Sequence, residues 1–185
     1  MASRLIKRKF SADDFERMVE AGILGPEDRV ELVEGEVVEM APIGSRHAAC
    51  VKRLNRLLGG LLGDRALLGI QDPVRLDAYT QLQPDVAVLR PRADFYAAAH
   101  PGPEDVWLVI EVADSTEGHD RAVKVPLYAR AGIPELWLVD LPREVIEVYR
   151  QPTAEGYATI EVRGRDERVE CEHLGLTLRS DDVLG

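Results

Sequence analysis

Cysteine is scarce in this chain of 185 residues: there are two, Cys50 and Cys171, far apart and without metal-ligand spacing. That excludes a disulfide framework, and both read as reduced thiols of a cytoplasmic protein. Long hydrophobic runs are also missing. No stretch approaches the roughly 18 apolar residues that a membrane span needs. The basic start, MASRLIKRKF, lacks the apolar core of a secretory signal. There is no internal repeat and no low-complexity segment. Positive charge is in deficit, since 23 Lys and Arg against 33 Asp and Glu give a net charge of −10. The deficit falls on residues 64–185, because residues 1–63 balance at 10 of each sign. A protein that attracts polyanions through its overall field has the opposite sign. Any contact with nucleic acid must therefore use a local patch, either Arg4, Lys7, Arg8 and Lys9 or Arg46, Lys52, Arg53 and Arg56.

What is present is the material of a folded domain: 45% hydrophobic and 30% charged residues, in a length suited to one core. A single domain is expected over 1–185, with a helix and hairpin in 10–45, a central unit in 46–141 and β additions in 142–185. Ser11, ahead of Ala-Asp-Asp-Phe-Glu, reads as an N-cap opening a short helix to about Ala21. The segment Arg29–Met40 contains VELVEGEVVEM, two alternating runs meeting at Glu34-Gly35, a hairpin signal. Residues 46–63 read as a helix whose stripe is Val51, Leu54, Leu58 and Leu61. Three strand-like runs follow, Leu67–Leu76, Gln83–Leu89 and Val106–Val112. A helix is expected at 119–131, closed by Gly132, then a buried strand Glu135–Asp140 and an antiparallel pair, Val145–Tyr149 with Tyr157–Val162. The fold class is α/β, a mixed central sheet flanked by helices.

Two carboxylates stand in strands that otherwise read as buried: Asp85 in QPDVAVL and Glu111 in LVIEVAD. A buried carboxylate costs several kcal/mol unless it is paired or metal-bound. Neighbouring strands run about 4.8 Å apart, so two such acids on successive strands can reach one cation. Oxygen ligands of this kind suit Mg²⁺ or Mn²⁺. Glu31, in the hairpin, is the best candidate for a third acid. His47 lies on the inward stripe of helix 46–63, where core packing and a site role are equally open. Trp107 and Trp137 read as core, and packing is the favoured reading of Tyr128. His100, His119 and His173 share no ligand spacing. Lys124 is open to reading as an i,i+4 partner of Asp120 on a helix surface.

A strand acid, a second strand acid and a lysine form the pattern of the PD-(D/E)XK nuclease superfamily, which Pro84-Asp85 and Glu111-Val112-Ala113 resemble. More specifically, the chain resembles the Uma-two family of restriction-endonuclease-like proteins over residues 10–180. The resemblance runs through VELVEGEVVEM, the His47 helix, QPDVAVL, LVIEVADST, HDRAVKVPLYARAGIPELWLVD and VIEVYR. It implies an αβββαβ core and metal-dependent hydrolysis of DNA phosphodiester bonds. It also implies metal-binding roles for Asp85 and Glu111, with Lys124 on the following helix in place of the strand lysine. Ala113 occupies the position where that lysine is missing. Glu31 and His47 also fall at positions of the family pattern. The expectation is a cytoplasmic, homodimeric Mg²⁺- or Mn²⁺-dependent endonuclease with catalytic residues Asp85, Glu111, Lys124, Glu31 and His47. Two alternatives stand beside it: a nuclease-fold binding module without turnover, and a metal-dependent hydrolase of a small phosphoester.

Overall fold

The structure is a computed structural model and describes residues 8–25, 27–114 and 120–185, with the backbone alone at Asp120. Helix α1 (Ala12–Glu20) begins at Ser11, whose hydroxyl accepts from the Asp14 N–H while the Asp14 carboxylate accepts from the Ser11 N–H. This reciprocal cap satisfies two backbone donors that a helix end leaves open. Strands β1 (Val30–Val33) and β2 (Glu36–Glu39) form the expected hairpin. Its two turn residues, Glu34 and Gly35, have φ of 49° and 83°, the paired positive values that a two-residue hairpin turn of this hand requires. A Cβ at Gly35 would also meet the Lys9 side chain at 2.6 Å, so glycine is needed there twice over.

Helix α2 (Ser45–Leu62) buries Cys50, Val51, Leu54, Leu58 and Leu62 and leaves Lys52 and Arg56 in solvent; Leu61, expected on the stripe, is exposed, and Leu62 takes its place. Among the described residues, the central sheet has six strands: β3 (Leu67–Gly69), β6 (Val86–Leu89), β7 (Val106–Ala113), β8 (Glu135–Asp140), β9 (Val145–Thr153) and β10 (Gly156–Arg163). They lie in the order β10-β9-β8-β7-β6-β3, with only β7 and β8 parallel. The crossover between that pair contains a π-helical turn (Asp120–Lys124) running into α3 (Val125–Arg130). Alternate residues of β7 feed two cores. Leu108, Ile110 and Val112 pack with α2, and Val109 and Ala113 pack with α3 residues Val125, Leu127 and Tyr128. A sheet covered on both faces explains the near-continuous apolar runs of β7 and β8. The αβββαβ core is thus α2, β3, β6, β7, α3 and β8. A C-terminal hairpin, β11 (Arg168–Cys171) with β12 (Leu176–Arg179), and the short helix α4 (Ser180–Leu184) add to the α2 side.

Two expected strands are corrected. The run Leu67–Leu76 divides into β3 in the central sheet and β4 (Val74–Arg75) in a second sheet. The run expected at Gln83–Leu89 is a strand only from Val86, as β6, and a separate β5 (Gln81–Leu82) precedes it. Pro73 and Pro84 stand at the two breaks, where a residue without an N–H cannot extend a ladder. The second sheet, in the order β2-β1-β5-β4, therefore carries the N-terminal hairpin against the end of the first. The expected helix 119–131 is corrected at its start, since α-helical geometry begins only at Val125. Pro126 sits in the first turn of α3; its ring would crowd the carbonyl of Ala122, and the turn before it widens to π geometry. His119 lies outside the described residues.

Candidate active site

Strand register brings the two acids together. Val86 pairs with Ile110 and Ala87 with Val109, so Asp85, one residue before β6, stands opposite Glu111 and faces the same side of the sheet. The Asp85 N–H lies 3.4 Å from Glu111 Oε2, and the Val112 N–H donates to Asp85 Oδ2 at 2.9 Å. Both side chains are buried, at 7% and 3% exposure, and both line one cavity of about 270 Å³. The β1–β2 hairpin and the segment leading into α2 form its other walls.

Lys124, the last residue of the π turn, reaches the same cavity. Its Nζ lies 3.0 Å from Glu31 Oε1 and 3.4 Å from Glu111 Oε1, at 6% exposure. It is a buried bridge between two carboxylates rather than a residue of a solvated helix face. The Asp120 side chain, its surface partner in the alternative reading, lies outside the described residues. Glu31 comes from β1, and its Oε1 also accepts from the Gln83 N–H at 2.8 Å. The second sheet therefore has a function in the geometry, because pairing of β1 with β5 brings Glu31 up to the segment just ahead of Asp85.

His47, in the first turn of α2, holds its Nε2 2.9 Å from Asp85 Oδ2. The structure thus brings Glu31, His47, Asp85, Glu111 and Lys124 to one cavity from β1, α2, the start of β6, β7 and the π turn. Two further groups hold the acids. The fully buried Tyr128 of α3 donates its hydroxyl to Glu111 Oε1 at 2.7 Å. Burial, and next the Glu111 charge, push that hydroxyl well above its ordinary pKa, which keeps it a donor. Gln71 donates Nε2 to Asp85 Oδ1 at 3.1 Å from a left-handed backbone, φ 56°. Tyr128 read as packing because its place on an apolar helix face carries no mark of a polar role. Gln71 gave no signal, since a lone amide in a turn has no periodicity.

The remaining sequence candidates fall elsewhere. Trp137 is fully buried and Trp107 packs against the same core. His100 lines a different cavity. Arg4 and Lys7 lie outside the described residues. Of the α2 patch, Arg53 spends its guanidinium on the Val183 and Leu184 carbonyls. Arg46 stands beside the cavity, 3.4 Å from Asp114, with its side chain 63% exposed. Arg29 lies on the cavity wall itself.

The lining is acid-rich, with Glu31, Glu39, Asp85, Glu111 and Asp114 against Arg29, Lys124 and His47. Buried carboxylate oxygens at the focus are the kind of donor that a hard divalent cation takes, and this donor set fits Mg²⁺ or Mn²⁺. The arginines at its border give an anionic substrate a place to approach.

Comparison with known proteins bears on the family and the fold. The family model described as "Uma2: Putative restriction endonuclease" matches residues 12–180. The fold is similar to a crystal structure described as "a putative nuclease belonging to DUF820" from Anabaena variabilis. The TM-score is 0.71 at 16% identity, covering 95% of this chain and 97% of that one. No curated protein matches the chain. Among the described residues, no helix is long and apolar enough to cross a membrane.

Proposed function

This chain belongs to the Uma2 family of restriction-endonuclease-like nucleases, and from that premise we propose that it is a Mg²⁺- or Mn²⁺-dependent endonuclease that hydrolyses DNA phosphodiester bonds. The observation that carries the reading is Lys124, buried and bridging Glu31 and Glu111 beside Asp85. An ammonium in that place answers the lysine missing at Ala113.

Asp85 and Glu111 are the residues that would hold the cation, which when bound would polarise the phosphoryl group and acidify the attacking water. The protein's own groups do the rest. Lys124 presents positive charge where the phosphate and its incoming water meet, stabilising charge that grows in the transition state. Glu31 holds the ammonium in position. His47 Nε2 and the Val112 N–H fix Asp85 Oδ2, and Gln71 fixes Oδ1. Tyr128 keeps its proton and donates a hydrogen bond to Glu111 Oε1, which orients Oε2 toward Asp85. Arg46 and Arg29 steer the phosphate backbone to a cavity whose own charge repels it. The protein works in the cytoplasm as a homodimer, in keeping with its two free cysteines and with the two active sites that a double-strand cut requires.

Ala113, fully buried where the superfamily pattern carries its lysine, favours one second reading: a binding module that keeps the fold and has lost turnover. Plasmid nicking with Mg²⁺ or Mn²⁺ separates the two. Cleavage by the wild type that Asp85→Ala abolishes is the expected result. DNA binding without cleavage under either metal would establish the module.

A further inference from the structure

A second group of ligating side chains lies away from the cavity. Glu135 opens β8, Cys171 closes β11, and His173 sits in the short turn that follows, Glu172–Leu174. One ligand atom from each lies within 4.8 Å of the others. We propose that Glu135, Cys171 and His173 form a zinc site that clips the C-terminal hairpin to the central sheet.

The donor types come first. A thiolate, an imidazole and a carboxylate are the ligands zinc takes, and a sulfur ligand selects against Mg²⁺ and Mn²⁺. Separations come next. Tetrahedral zinc with Zn–S near 2.3 Å and Zn–N near 2.05 Å places S and N about 3.6 Å apart, and N and O about 3.4 Å apart. Cys171 Sγ lies 3.6 Å from His173 Nδ1 and 3.4 Å from its Nε2, and Nδ1 lies 3.8 Å from Glu135 Oε2. A turn of the partly exposed imidazole that aims Nδ1 between Sγ and Oε2 completes the set.

The surroundings are arranged for ligation. His173 Nε2 lies 2.9 Å from the Trp107 carbonyl oxygen and donates to it, which leaves the lone pair on Nδ1, the nitrogen nearer Glu135. A ligating histidine with its other N–H on a backbone carbonyl is a recurrent arrangement at zinc. Glu135 Oε1 accepts from Trp137 Nε1 and Arg150, while Oε2 accepts from Arg150 Nε. A carboxylate oxygen has two lone pairs, so Oε2 keeps one toward Nδ1. The His173 side chain is 38% exposed, so the metal has a way in and a water could take the fourth position. Glu135 stands three residues along β8 from Leu138, the partner of Glu111. That spacing, roughly 10 Å of strand, separates this site from the cavity of Asp85 and Glu111.

Full-length protein stripped with a chelator, then titrated with Zn²⁺ in excess Mg²⁺, tests the assignment. One equivalent should bind in the wild type and in Asp85→Ala. Affinity should fall about 100-fold or more in His173→Ala, beyond the loss typical of an outer-shell partner. His173 is partly exposed, so this variant should melt like the metal-free wild type. With Co²⁺ in place of zinc, the wild type should show a thiolate-to-cobalt charge-transfer band that Cys171→Ser lacks. The metal should raise the melting temperature of the wild type and not that of His173→Ala. Zinc bound equally well by His173→Ala, zinc lost in Asp85→Ala, or a cobalt spectrum without the thiolate band would each overturn the proposal. So would an absence of binding at tens of micromolar metal.

Discussion

Lys124 is one of four lysines among the 23 basic residues of the chain, and it is buried. Desolvating an ammonium costs several kcal/mol, and the two carboxylates on either side offset that cost. Lys124→Ala should therefore have two effects. Single-turnover cleavage of a saturating duplex should fall strongly, while the protein loses about 3–5 kcal/mol because Glu31 and Glu111 then face one another without a cation. Added Mg²⁺ should raise the melting temperature of this variant more than that of the wild type, since it supplies the missing charge. Equal shifts would show that the ammonium does not neutralise those acids. Lys124→Arg should rescue poorly, a fork of planar donors being a poor fit where a compact ammonium sits. Tyr128→Phe removes a hydrogen bond to a charged acceptor with almost no change of volume, so its expected cost is about 1.5–3 kcal/mol. Divalent-metal affinity, read by calorimetry, should weaken with it, because Glu111 loses the donor on Oε1.

At the level of elements, α1 offers a clean test. Ser11→Ala should cost about 1 kcal/mol, the usual value of an N-cap side chain, measured as a shift in urea midpoint. Asp14, at the other end of that cap, is held at about 2 against an ordinary 3.8, first by the Ser11 N–H and next by its hydroxyl. The sign follows from a carboxyl depressed in the folded state. Its contribution is complete above about pH 4 and is lost as pH falls through about 2. The gap between Ser11→Ala and the wild type should then narrow on acidification over that window. The same element logic explains what could be read from sequence. The capped helix, the Glu34-Gly35 hairpin, the α2 stripe and strands β7 to β10 carry period or turn chemistry of their own. The division of Leu67–Leu76 between two sheets does not, because strands of two and three residues are too short for an alternation to show. Asp85 and Glu111 stood out as acids among apolar neighbours. Tyr128 and Gln71 act through single polar atoms that only the tertiary contacts reveal. The closeness of Cys171 to Glu135 depends on where the β11–β12 hairpin docks, which local pattern does not encode.

For the whole molecule, a net charge of −10 means that the proposed DNA substrate would be held by a few local cations against an opposing field. Binding in Ca²⁺ should accordingly weaken with salt along a shallow slope, and Arg46→Ala should reduce that slope by about 1. The proposed homodimer follows from the number of strands to be cut. Each cavity has one pair of proposed metal-binding acids, Asp85 and Glu111, so a single protomer would break one phosphodiester bond per encounter. A two-fold dimer presents a second cavity to the antiparallel strand by the same operation that relates the strands of a duplex. A dimer should convert supercoiled plasmid directly to the linear form, and sedimentation at micromolar concentration should give twice the chain mass. Mixing wild-type protein with Asp85→Ala should form hybrid dimers with one working site, so nicked circles should accumulate in proportion to the inactive chain. A monomer predicts otherwise. Its nicked circles precede linear product at every mixing ratio, and the inactive chain merely dilutes the rate. That second pattern, together with a monomer in sedimentation with and without DNA, would remove the dimer and leave two independent encounters per double-strand break.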